Sequence, residues 1–73
     1  MDEGVMVHKA NSIAAFFASY PREEAIAGVA NHLQSFWEPR MRRQLHSYVA
    51  AGGANLNELV IEAERRLRPA PIR

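Results

Sequence analysis

Pro21, Pro39 and the Gly52-Gly53 pair divide this chain into four stretches, each long enough for only a few turns of helix. Proline cannot continue a helix that reaches it, yet its fixed φ suits a first helical position, so each proline ends one helix and opens the next. The glycine pair ends the third stretch, because glycine enters the left-handed conformations that close helices without a steric penalty. With 73 residues and no cysteine, the chain has room for one small core and no disulfide or thiolate-bound metal to reinforce it. A core of this size rarely supplies more than ~3–5 kcal/mol, so tight helix packing or a partner protein must add to it.

Hydrophobic spacing fills in the stretches. Met6, Ala10, Ile13, Phe17 and Tyr20 recur at steps of three and four, which predicts a first helix from about Val5 to Ser19. A second helix follows from Pro21 to about Phe36, with Glu23 and Glu24 in its first turn and Ile26, Val29, Ala30, Leu33 and Phe36 or Trp37 inward. Ala10, Ala14 and Ala18 on one helix and Ala25, Ala27, Gly28 and Ala30 on the other would let the pair approach closely, in antiparallel fashion. Gly28 costs about 1 kcal/mol against alanine in a helix interior, and close contact gives it a reason to be there.

A third helix is expected from about Pro39 to Ala51, with Met41, Leu45, Tyr48 and Val49 inward. Asn55 with Glu58 reads as a capping box opening a fourth, whose stripe is Leu56, Leu59, Val60, Ala63 and Leu67. Glu62 with Arg66 and Glu64 with Arg68 are spaced as i to i+4 ion pairs. The expected fold is all-α: a single domain over 1–68 forming a small antiparallel bundle of four short helices, followed by a flexible proline-containing tail over 69–73.

The composition excludes several functions. The longest apolar run, Ile13 to Ala18, is six residues, far short of the ~20 that span a bilayer, and the start is acidic. Neither a membrane span nor a secretory signal is expected, which makes the cytoplasm the default location. His8, His32 and His46 fall on three different helices without metal-ligand spacing. Glu23 and Glu24 point about 100° apart on a helix, and their place in its first turn already explains them. Gly52-Gly53 lacks the Lys-Ser/Thr of a phosphate loop, and Ser12, Ser19, Ser35 and Ser47 have no nucleophile-elbow context. No catalytic, cofactor-binding or metal-binding residue is assigned.

One segment remains unexplained by packing alone: Phe36-Trp37-Glu38-Pro39-Arg40-Met41-Arg42-Arg43. Two large aromatics, a rigid proline and three arginines meet there at a helix-to-helix corner. Phe36 reads most simply as core. Trp37 and the arginines are the residue types enriched at protein-protein hot spots, since they join large apolar area to a directional polar end. The candidate partner-binding set is Phe36, Trp37, Pro39, Arg40, Met41, Arg42 and Arg43. The alternative is a small helical nucleic-acid binder using Arg40, Arg42, Arg43 and His46, but Arg42 points away from Arg40 and Arg43 and the net charge is only +1.

A family resemblance runs through most of the chain. Ala10-Asn11-Ser12-Ile13-Ala14-Ala15-Phe16-Phe17, then Tyr20-Pro21-Arg22-Glu23-Glu24-Ala25, Gly28-Val29-Ala30-Asn31-His32-Leu33 and Phe36-Trp37-Glu38-Pro39-Arg40-Met41-Arg42 resemble the delta subunit of NAD-dependent, molybdenum-containing formate dehydrogenases. The stretch from Gly52-Gly53 to Leu59-Val60-Ile61-Glu62-Ala63 is similar to that family's ending but less distinctive. The resemblance implies a cofactor-free subunit of a bacterial complex. In such a complex the alpha subunit carries a molybdenum or tungsten pterin and iron-sulfur clusters, while FMN and NAD chemistry belong to the beta and gamma subunits. The role it implies is to bind and stabilise the alpha subunit. A transient factor for assembly or cofactor retention is the alternative.

Overall fold

Each helix of the chain begins where the local sequence supplies a cap or a proline. The computed structural model describes residues 2–67, with the order α1 (Glu3–Phe17), α2 (Arg22–Phe36), α3 (Pro39–Ala50) and α4 (Glu58–Arg66). No strand occurs among the described residues, so the all-α bundle of four short helices is the fold observed. Arg68 and the expected tail over 69–73 lie outside the described residues.

Asp2 opens α1: its Oδ1 accepts from the Gly4 N–H at 2.7 Å and the Val5 N–H at 3.2 Å, satisfying two donors that the helix itself cannot pair. Pro21 is the N-cap residue of α2, one position earlier than expected, and Pro39 is the first residue of α3. At the end of α3 the Gly53 N–H donates to the Tyr48 carbonyl at 2.9 Å and the Gly52 N–H to the Val49 carbonyl at 3.0 Å. These are the two bonds of a Schellman motif, and both glycines hold the positive φ that it favours, +128° and +62°.

The start of α4 corrects the expected capping box. Asn57, not Asn55, is the cap, accepting from the Leu59 N–H at 2.8 Å. Glu58 is therefore the first helical residue, not the third, and cannot reach back to the cap as a capping box requires. Asn55 instead takes a left-handed conformation, φ 66°, which asparagine tolerates better than most residues. Its carbonyl accepts from Asn11 Nδ2 at 2.9 Å, while Asn11 Oδ1 accepts from the Asn57 N–H at 2.7 Å. One side-chain amide on α1 thus clamps the turn that leads into α4.

The core joins Met6, Ala10 and Ala14 of α1 to Ile26, Val29 and Leu33 of α2, Leu45 of α3, and Leu56, Val60 and Ala63 at α4, with Trp37 closing one end. α4 touches all three other helices and packs most extensively on α2, whereas α3 packs chiefly on α4. The Cα radius of gyration, 11.3 Å, matches the value of about 11 Å for a compact chain of this length. Ile13, Phe17, Met41, Tyr48, Val49, Leu59 and Leu67 are half-buried against the core, as their spacing predicts, but Tyr20 is exposed because α1 stops at Phe17 and turns.

Ion pairing departs from the expected i to i+4 pattern. Glu62 pairs with Arg65 at 3.2 Å, and Arg66 reaches across to Glu23 on α2 with two bonds of 2.8 and 3.0 Å. Arg22 and Glu58 make a second two-bond bridge between α2 and α4. Glu64 turns inward toward His46, and Arg68, its expected partner, lies outside the described residues. Long-range helix-to-helix partners outcompete the local ones because α2 and α4 lie side by side.

Candidate partner-binding site

The corner between α2 and α3 is held by backbone chemistry before any side chain is considered. Trp37 leaves the helical conformation at φ −90°, ψ 138°, and its N–H still donates to the Leu33 carbonyl at 3.2 Å. Glu38 is extended, Pro39 fixes the first turn of α3, and the Arg42 N–H donates to the Glu38 carbonyl at 3.0 Å. Arg42 then adds its guanidinium: Nη1 donates to the Gln34 carbonyl at 3.3 Å and to the Trp37 carbonyl. A cation on the last carbonyls of a helix satisfies acceptors that the helix leaves open and opposes its dipole.

This backbone break exchanges the two aromatic residues relative to expectation. Trp37 is 7% exposed and belongs to the core, while Phe36, read as core, is 73% exposed. On an ideal helix at 100° per residue, the two lie about 50° to either side of the line through Ile26, Val29 and Leu33. Periodicity therefore leaves them equivalent, and the extended backbone at residue 37 turns the larger ring inward.

The remaining corner residues divide in the same way. Met41 is half-buried against the core and Arg42 is half-buried on the α2 carbonyls. Pro39, Arg40 and Arg43 are exposed, and Arg40 and Arg43 make no hydrogen bond or ion pair within the described residues. Of the seven candidates, Phe36, Pro39, Arg40 and Arg43 are open to a partner. Trp37, Met41 and Arg42 hold the corner in shape.

Sequence reasoning missed a second exposed aromatic group. Phe16 is 69% exposed at the end of α1, packed edge-on to Phe17 with ring centroids 5.0 Å apart, and Phe17 meets Tyr20 at 5.5 Å. On α2 the His32 and Phe36 rings stack at 4.8 Å in a tilted arrangement. The signal was present: Phe16 lies about 100° off the stripe that ends in Phe17.

The titratable groups form structural pairs. His46 Nδ1 lies 2.9 Å from Glu64 Oε2 and joins α3 to α4. Burial pushes the Glu64 carboxyl above its ordinary range, against the opposing hydrogen bond and charge of His46. Hydrogen bonds from Arg66 and Arg22 hold the Glu23 and Glu58 carboxyls below that range. Among the described residues no group of three or more His, Cys, Asp or Glu side chains converges on a point where a metal could sit, and the chain has no cysteine.

A family profile described as NADH-dependent formate dehydrogenase delta subunit FdsD matches residues 6–63, well over half of the 73. The chain belongs to the FdsD family. The match takes in the whole corner and most of each helix, so the FdsD assignment covers the four-helix unit rather than one motif. No curated protein and no solved structure matches the chain. As an FdsD member it is a delta subunit, which implies partner subunits in a formate dehydrogenase. No helix among the described residues is long and apolar enough to cross a membrane.

Proposed function

We propose that this chain is a non-catalytic subunit of a cytoplasmic NAD-dependent formate dehydrogenase that binds and stabilises the large alpha subunit. In this reading the molybdenum or tungsten pterin and the iron-sulfur clusters belong to the alpha subunit. FMN and the NAD reaction belong to the beta and gamma subunits of the same complex. The delta chain itself carries no catalytic group.

The observation that carries the proposal is the corner at Phe36–Arg43. A large apolar ring stands exposed beside two arginines whose guanidinium groups have no partner among the described residues, on a backbone locked by Trp37, Pro39 and Arg42. Such an arrangement is preorganised, so little ordering entropy is lost when a partner docks. The effect on the partner is linkage. A chain that binds only the folded, cofactor-loaded alpha subunit stabilises it by RT ln(1 + [L]/Kd), about 2.7 kcal/mol at a hundredfold excess over Kd.

The test is affinity purification of the tagged chain from its native cytoplasm, followed by size-exclusion chromatography and assay of metal and flavin. Co-elution with the alpha subunit at fixed stoichiometry is expected. Association with immature alpha subunit only, lost from the mature enzyme, would make the chain an assembly or cofactor-retention factor instead.

A further inference from the structure

The arginines of this chain divide into those with work inside the fold and those without. Arg22 pairs with Glu58, Arg65 with Glu62 and Arg66 with Glu23, and Arg42 caps the carbonyls of Gln34 and Trp37. Arg40 and Arg43 are the two arginines left unpaired among the described residues, and they stand one turn apart on α3. The segment Pro39–Ala50 contains no acidic residue to compensate them. Like charges at this spacing destabilise a helix slightly, so the pair gives the isolated fold nothing.

We propose that Arg40 and Arg43 dock on a pair of carboxylates at the rim of an apolar pocket on the alpha subunit, with Phe36 entering the pocket. This inference rests on the subunit reading above and adds the chemistry of the surface that receives the corner. Each guanidinium presents a planar fork of donors that matches a carboxylate with two parallel hydrogen bonds, a geometry lysine cannot reproduce. Phe36, four residues before Arg40, supplies the apolar anchor such interfaces place at their centre, with charged pairs around it.

Charge placement favours an acidic protein surface over a nucleic acid. Glu38 lies between Phe36 and Arg40, exposed and without a side-chain cap bond or ion pair among the described residues. A phosphate backbone tracking Arg40 and Arg43 would run beside that carboxylate, and the whole chain carries only +1. A folded protein can instead set a donor opposite Glu38 and carboxylates opposite the arginines.

The experiment measures binding of the full-length chain to purified alpha subunit at two salt concentrations, for wild type, Phe36→Ala, Arg40→Lys/Arg43→Lys and Arg40→Glu/Arg43→Glu. Circular dichroism melts of each chain accompany the titrations. Charge reversal is expected to weaken binding by about 100-fold or more, since like charges across an interface cost several kcal/mol. The lysine pair should fall between wild type and reversal, and Phe36→Ala should weaken binding at both salt concentrations alike. The two arginine variants should melt with the wild type, because neither guanidinium is bonded among the described residues, and Phe36→Ala should melt close to it, since its exposed ring gives up a stacking contact with His32 and no core packing. Unchanged affinity on reversal overturns the inference and leaves the subunit reading standing. Failure of the wild type to bind removes that reading and the inference with it. A mobility shift of duplex DNA by wild type, abolished by reversal, would assign the arginines to a polyanion and overturn the proposal.

Discussion

The Phe17 ring occupies the space that a side chain at Gly28 would need: a Cβ placed on Gly28 would lie 2.5 Å from Phe17 Cε1 and 2.6 Å from Cδ1. The glycine thus makes room for the ring at the end of α1 to pack against α2. Gly28→Ala sets two effects against each other, a gain of about 1 kcal/mol in helix propensity and an overpacking cost of roughly 1–3 kcal/mol. The clash is expected to win, with a net loss of about 1 kcal/mol in urea denaturation. Adding Phe17→Leu to Gly28→Ala should recover part of that loss, a non-additivity a double-mutant cycle measures directly.

Phe36 and Trp37 are neighbours in sequence with opposite roles, and their variants should separate. Trp37→Ala opens a cavity in the core and is expected to remove about 3–5 kcal/mol, close to the whole stability of a domain this small. Phe36→Ala should change stability by no more than about 0.5 kcal/mol, as exposed positions do. Denaturation midpoints of the two variants check the contrast. Equal effects would mean the corner is not built as described.

Asn11 provides a third test. Its amide both donates to the Asn55 carbonyl and accepts from the Asn57 N–H, so Asn11→Ala removes two hydrogen bonds that tie α1 to the entry of α4. A loss of about 1–2 kcal/mol is expected. The sharper readout is hydrogen exchange, in which the Asn57 amide should lose protection in the variant. Asn55→Gly should be tolerated and Asn55→Val should not, because residue 55 holds φ 66°.

Acid should act on the fold through carboxyl groups whose pKa values are shifted in opposite directions. Glu23 and Glu58 titrate below the ordinary glutamate value of about 4.3 in the folded chain, held there by hydrogen bonds from Arg66 and Arg22. Their contributions are complete above that value and are lost as pH falls through the lower folded values. Glu64, raised chiefly by burial, works the other way: its contribution is complete below the ordinary value and is lost as pH rises through the folded one. Glu64→Gln should therefore steepen the loss of stability on acidification, whereas Glu23→Gln with Glu58→Gln should flatten it. Thermal midpoints measured from pH 7 to pH 3 check both slopes.

These variants also mark where the sequence could be read and where it could not. Pro39, Gly52 and Gly53 act on their own backbone, so the corner and the end of α3 were legible, and the close approach at Gly28 followed from a glycine inside an otherwise sound helix. Asn55 and Asn57 both stand where a cap could be, and the choice between them is made by Asn11, far away in sequence. Arg66 had Glu62 at an ideal helical spacing and bonds to Glu23 of α2 instead, because folding brings that carboxylate within reach. The break between α2 and α3 was legible as a corner, but which of its side chains face outward depends on the backbone angles of Trp37, which no periodicity encodes.

The most direct test of the subunit reading is the melting temperature of purified, cofactor-loaded alpha subunit as a function of added delta chain. Because a ligand specific for the folded form stabilises by mass action, the midpoint should rise continuously with the logarithm of the delta-chain concentration above Kd. A midpoint that stays constant through a large molar excess of folded delta chain would contradict it.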